Sequence, residues 1–259
     1  MCTIFFAYKV IDTLPLLVAA NRDEFYARPT QSMHFWSEAP HLLAGRDLLA
    51  GGTWLGISTA GNLAMVTNFR DPGETIENPL SRGQIPERFL REGPSVEAYL
   101  QSLMEERQRY RGFNVIFGSV ETLYYYSNRT GKAQRLEPGF YGLSNHLLNT
   151  PWPKVTFGLE TMKKMGTQPD RWSNNALLGL LKNQEKPPDH QLPDTGVGLD
   201  WERLLSSIFI SSPSYGTRQS TILKFMENGG ITVQESQWRP GNKESLESTF
   251  NIPPPASPL

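Results

Sequence analysis

Apolar and polar positions alternate in short runs along most of this chain. Thr3 to Val10 is rich in aromatic and β-branched residues and predicts a strand. Ile11 to Thr13 predicts a turn and Leu14 to Ala20 a second strand, so the two form an antiparallel hairpin. Thr53 to Thr59 and Leu63 to Phe69 form another pair around Ala60-Gly61-Asn62, where Gly61 and Asn62 tolerate positive φ. The period then changes. Ser81 to Arg91 places Ile85, Phe89 and Leu90 on one side, and Ser95 to Arg109 starts at an N-capping serine with Val96, Leu100, Leu103 and Met104 on one stripe. Strands follow at Phe113 to Ser119 and Thr122 to Ser127, with weaker ones near Lys132 to Glu137 and Tyr141 to Asn145. Helices follow at Lys154 to Met165 and Asn174 to Lys182.

Gln184 to Leu199 is rich in proline and reads as a surface loop. A short helix near Trp201 to Ser207 precedes strands at Phe209 to Ser211, Gln219 to Met226 and Ile231 to Gln237, with a turn at Asn228-Gly229-Gly230. The end, NIPPPASPL, has four prolines in nine residues and predicts a poorly ordered tail. Strands grouped in pairs argue for antiparallel sheets and an α+β class. One packing is two sheets face to face with helices outside, though the pattern alone does not choose this over a single large sheet. The organisation expected is one domain over residues 1–240 and a Pro-rich tail over 241–259, with no internal repeat.

Composition narrows the function classes. The chain has 259 residues, 38% hydrophobic and 20% charged, which suits a globular protein. Lys plus Arg is 25 against 26 for Asp plus Glu, a balance that argues against a dedicated nucleic-acid binder. Arg107, Arg109 and Arg111 are better read as cations at a helix C-terminus than as phosphate contacts. No apolar run approaches the ~18 residues of a membrane span. The apolar N-terminus lacks a basic lead-in and a small-residue cleavage site, so a cytoplasmic location is expected. The single cysteine excludes an intrachain disulfide and a Cys-rich zinc site, and four scattered histidines give no metal spacing. No Gly-rich phosphate loop is present.

The one cysteine, Cys2, directly follows Met1, and a small second residue permits removal of the initiator. The chain would then begin with a thiol and a free α-amine on one residue. An α-amine has a pKa of ~7.7–8.0, so near neutral pH an appreciable fraction can accept a proton. Such an amine can activate its own residue's nucleophile. By position alone, Cys2 reads more readily as a small apolar residue in an edge strand than as a nucleophile.

The segment Ala19-Ala20-Asn21-Arg22-Asp23-Glu24-Phe25 changes that balance. In order after it come Arg28-Pro29, Gly51-Gly52-Thr53-Trp54-Leu55-Gly56, Thr67-Asn68-Phe69-Arg70, Ser81-Arg82-Gly83, Tyr141-Gly142-Leu143-Ser144-Asn145, Thr150-Pro151-Trp152 and Tyr215-Gly216-Thr217-Arg218. This ordered set, from Met1 to about Arg239, resembles the NRDE family, also called transport-and-Golgi-organisation-protein-2-like. The resemblance implies an N-terminal-nucleophile hydrolase fold, a four-layer αββα sandwich of two antiparallel sheets between helical layers. Enzymes of that fold in the choloylglycine hydrolase and penicillin V acylase group cleave non-peptide amides with an N-terminal cysteine.

On that resemblance Cys2 is the nucleophile and Asp23 the carboxylate that holds the α-amine. Asn68 is the oxyanion-hole side chain, Asn145 a second asparagine orienting the amine or the tetrahedral centre, and Arg218 an arginine near the thiol. The local alternatives are turn-shaping roles for Asn68 and Asn145 and a surface ion pair for Arg218. In an extended segment Asn21 and Asp23 share a face while Arg22 turns away, which leaves Arg22 to clamp a loop or a carboxylate. Three readings of function follow: a cysteine hydrolase of linear acyl amides that needs no cofactor; a carrier of haem, bound non-covalently through a residue such as Cys2 or His146; and a factor in membrane or secretory organisation.

Overall fold

The β1–β2 hairpin forms where the alternation puts it. In the computed structural model, which describes residues 2–240 and 246–254, β1 covers Cys2–Ile11 and β2 covers Leu14–Phe25. Further strands are β3 (Thr30–Trp36), β4 (Ala39–Asp47), β5 (Leu55–Ser58) and β6 (Leu63–Asn68), then helices α1 (Gln84–Glu92) and α2 (Val96–Glu106). Next come β7 (Phe113–Gly118), β8 (Leu123–Ser127), β9 (Lys132–Arg135), β10 (Gly139–Leu143), α3 (Pro153–Met165), α4 (Asn174–Leu181) and α5 (Leu199–Leu205). The last elements are β11 (Tyr215–Phe225), β12 (Ile231–Gln237) and β13 (Leu246–Ile252). The protein is α+β, with a six-stranded sheet in the order β10-β1-β2-β11-β12-β13 and a seven-stranded antiparallel sheet running β3 to β9 in sequence order.

The chain divides into two compact units interleaved in sequence. One comprises residues 1–2, 27–136 and 144–147, the other residues 3–26, 137–143 and 148–259. In the first, α1 lies on β4 to β7 and buries Ile85, Phe89 and Leu90, as its periodicity predicts. Gly93, at φ 61°, ends it in the left-handed conformation glycine favours. Two glycines of the ordered motifs meet here: a Cβ on Gly52 would overlap the backbone of Gly83, whose carbonyl accepts from the Thr53 N–H at 3.0 Å. Their lack of side chains lets two loops cross at backbone distance.

In the second unit, α4 packs on β2 and β11, and α3 on β10. Phe5, Leu17, Ala19, Met162, Trp172 and Leu177 belong to its buried core, each large side chain contributing ~1.5–3 kcal/mol by leaving water. Ser173 caps α4 by accepting from the Ala176 N–H at 3.2 Å.

Several expected elements differ. Strands β3 and β4 occupy a stretch without clean alternation, and their pairing slips twice, between Gln31 and His34 and between Phe35 and Trp36. Phe209 to Ser211 is not a named strand; Ile210 instead exchanges backbone and hydroxyl hydrogen bonds with Thr217. Within the expected tail, Leu246–Ile252 pairs antiparallel with β12 as an edge strand, including Asn251 and Ile252 of the Pro-rich end. Residues 255–259 lie outside the described residues, as do 241–245. Among the described residues, no helix is long and apolar enough to cross a membrane.

Candidate functional site

The residues singled out from sequence fall into two sets. Asn21, Arg22, Asp23 and Arg218 lie in the unit of the six-stranded sheet, and Cys2, Asn68, Asn145 and His146 in the unit of the seven-stranded sheet. Cys2 opens β1, and β1 is hydrogen-bonded to β2, whose last turn-ward residues include Asp23.

The first set sits on β2 and β11. Asn21 is buried, and its Nδ2 donates to the carbonyls of Leu181 at 2.8 Å and Ile208 at 3.0 Å while its Oδ1 accepts from the Ser220 hydroxyl at 2.6 Å. It ties β2 to the end of α4. Arg22 points to the other face and donates to Gln219, its cross-strand partner, at 3.3 Å. Asp23 is buried and accepts from the Thr217 hydroxyl at 2.7 Å. The β2–β11 ladder slips between Thr217 and Gln219, making Arg218 the extra residue of a bulge. Its guanidinium donates to the Phe25 and Tyr26 carbonyls at 3.0 and 3.3 Å and lies over the Tyr26 ring. Arg218 thereby clamps the end of β2.

Burial pushes the Asp23 carboxyl above the ordinary carboxylate range, against the opposing pull of the Lys154 charge and the Thr217 hydrogen bond. Lys154, in the first turn of α3, is itself buried, with its ammonium on the Leu205 carbonyl at 2.9 Å. Burial also raises Tyr26, against the pull of Arg218. Thr217 and Lys154 were not singled out from sequence. Thr217 lay within a quoted motif, but Lys154 reads as an ordinary surface lysine at a helix start.

The second set is built on the end of β6. Asn68 is the last residue of that strand and half-buried. Among the described residues, none hydrogen-bonds its side chain. Its backbone carbonyl accepts from Asn145 Nδ2 at 3.1 Å, and the Arg70 N–H donates to the Asn145 carbonyl at 2.7 Å. Asn145 lies just past β10, beyond the strand end at Leu143, and is buried. The Ser144 hydroxyl lies 3.5 Å from the Cys2 carbonyl and 3.3 Å from Asn145 Oδ1. Cys2 is buried and its sulfur is in no disulfide. His146 packs its ring 4.8 Å from that of Phe69, and burial lowers its pKa below 6.5. The segment after β10 thus meets the end of β6 through Asn145 and the Cys2 carbonyl through Ser144.

These features define an α+β protein whose sole cysteine stands at the head of a sheet strand. The family model described as Transport and Golgi organisation 2 matches residues 1–240. A human relative, Transport and Golgi organization protein 2 homolog, is 37% identical, spanning 91% of this chain and 92% of its own length. The Bos taurus homolog is 36% identical over 96% of this chain and 97% of its own length, and the Drosophila melanogaster protein of that name 29% identical over 96% and 99%. The chain belongs to the transport and Golgi organisation 2 family. Among solved structures it is similar to the Caenorhabditis elegans ortholog of N-acylethanolamine-hydrolyzing acid amidase, with a TM-score of 0.44 and 11% identity over 86% of this chain and 92% of the other. It is likewise similar to a C2A mutant of conjugated bile acid hydrolase from Clostridium perfringens, with a TM-score of 0.49 and 11% identity over 97% and 92%.

Proposed function

We propose that this protein is an N-terminal-nucleophile hydrolase of linear acyl amides, acting through Cys2 once Met1 is removed. The observation that carries the reading is the half-buried Asn68 side chain at a strand end whose backbone carbonyl Asn145 Nδ2 holds, on the segment whose Ser144 hydroxyl also reaches the Cys2 carbonyl. A side-chain amide N–H of this kind suits a developing oxyanion, where losing one donor typically costs ~2.7–4 kcal/mol of transition-state stabilisation.

The chemistry balances without a cofactor. The neutral α-amine of Cys2 takes the thiol proton as sulfur bonds to the substrate carbonyl carbon. The carbonyl oxygen becomes an oxyanion, with the Asn68 amide as donor. Collapse breaks the carbon–nitrogen bond; the leaving amine takes the proton from the α-ammonium, and a thioester remains. Water, giving a proton to the same amine, cleaves the thioester, and the proton returns to sulfur as the acid departs. Arg218 serves by fixing the end of β2.

Intact mass of the purified protein and of its product with p-nitrophenyl acetate tests this. The expected result is a chain lacking Met1 that gains one acetyl group, lost in Cys2→Ala. A retained Met1, or acetylation independent of Cys2, sinks the mechanism. A panel of acyl amides then identifies the substrate.

A further inference from the structure

We propose that Asn114 is the positioning residue of this site, the buried amide that fixes the 144–147 segment and, through it, the Asn68 donor. The inference deepens the hydrolase reading and rests on it.

Asn114 lies in β7, within the apolar run Phe113-Asn114-Val115-Ile116-Phe117, and is fully buried. It stands opposite Thr67 on β6 and Ser127 on β8. A buried amide requires partners, and each one here is defined. Its Nδ2 donates to the Thr67 hydroxyl at 3.2 Å and to the His146 carbonyl at 3.0 Å. Its Oδ1 accepts from the Tyr125 hydroxyl at 2.8 Å. The His146 carbonyl can only accept, so the nitrogen faces it and the orientation of the amide is fixed.

The segment it holds is not a strand. Residues 144–147 leave the six-stranded-sheet unit at Leu143 and return to it at Leu148, belonging meanwhile to the other unit. Asn145 meets the end of β6 through the Asn68 carbonyl and the Arg70 N–H. Asn114 grips the next residue from inside the sheet. Together they hold the segment at consecutive residues, one from the strand end and one from the strand interior. Without Asn114, the segment loses this tie to β7, and Asn145 Nδ2 can part from the Asn68 backbone carbonyl. The end of β6 that carries the Asn68 side chain then loses the fixed placement that an oxyanion donor needs.

Two reagents separate positioning from plain structure. p-Nitrophenyl acetate acylates a thiol through a tetrahedral oxyanion, whereas iodoacetamide alkylates it by direct displacement without one. Asn114→Leu should lower the rate of Cys2 acetylation roughly 10–100-fold and leave iodoacetamide alkylation within about threefold. Asn114→Asp, which keeps size and the Tyr125 acceptor but faces the His146 carbonyl with an oxygen, serves if the leucine variant does not fold. Thr67→Val removes a partner of Asn114 and spares the His146 contact, so both its rates should stay within about threefold. Acetylation at the wild-type rate in the Asn114 variants, or equal losses with both reagents, overturns the positioning role alone. Wild-type protein that takes no acetyl group on Cys2 overturns the hydrolase reading, and this role with it.

Discussion

The Thr217 hydroxyl donates to Asp23 Oδ1 at 2.7 Å, and the same oxygen accepts from the Ile210 N–H at 2.9 Å. One side chain thus satisfies a buried carboxylate and a loop amide at the residue where the β2–β11 ladder slips. The bulge is what turns Arg218 out of the ladder and onto the end of β2.

Asp23 gives the fold a pH dependence of known sign. Its carboxyl is raised above 3.8 by burial, so folding favours the protonated acid. Its contribution to stability is full below 3.8 and is lost as pH rises through the raised value. Relative to Asp23→Asn, the wild type should therefore lose unfolding free energy as pH rises above about 4. Thr217→Val removes a hydrogen bond to the ionised form, moves that loss to higher pH, and costs about 1–3 kcal/mol through the orphaned groups. Urea unfolding across this range checks both, and parallel curves for wild type and Asp23→Asn would refute the assignment.

How far the sequence discloses this arrangement depends on whether local pattern or distant contact decides it. The hairpin β1–β2 and the amphipathic α1 were legible because alternation and period reflect burial directly. Strands β3 and β4 were not, since bulges break the alternation that would announce them. β13 was hidden by its proximity to prolines, although an edge strand tolerates such neighbours. In the site, Asn68, Asn145 and Asp23 came from the family's ordered motifs. Asn114 carried a signal that went unread: an amide inside a wholly apolar strand demands buried partners. Lys154 carried none, because only tertiary packing buries a lysine at a helix start.

Lys154 and Asp23 should be thermodynamically coupled. Both are buried, and the Lys154 charge is the largest influence favouring the ionised Asp23. Removing the Lys154 charge removes that influence from Asp23, so Lys154→Met should destabilise the fold. Combining it with Asp23→Asn should cost less than the two single losses added. Urea unfolding of the four proteins at neutral pH measures the coupling; additivity within about 0.5 kcal/mol would deny it.

His146 separates the hydrolase reading from haem carriage. Burial lowers its pKa, so its contribution to stability is present above 6.5 and lost as pH falls through the lowered value. Neutral imidazole is the form that ligates iron. The ring packs at a tilt against Phe69, however, and the expectation is that it packs rather than ligates. Haem titrations of wild type and His146→Phe should superimpose. A ligated-haem absorption band present in the wild type and lost in His146→Phe would make carriage the better reading.

Gly158 sets helix propensity against packing. It lies inside α3, where glycine is ~1 kcal/mol less favourable than alanine, so propensity alone predicts that Gly158→Ala stabilises. A Cβ there would overlap the Phe5 ring, which is fully buried in the core beneath the helix. A ring in a close-packed core cannot move aside as a flexible chain end can, and overpacking typically costs 1–3 kcal/mol. Packing should win, giving a net loss of up to about 2 kcal/mol in Gly158→Ala. Phe5→Leu should absorb part of it, so the double variant is more stable than the single losses sum to. Urea unfolding distinguishes the cases: a Gly158→Ala protein as stable as the wild type would show that α3 can lift from β1 at little cost.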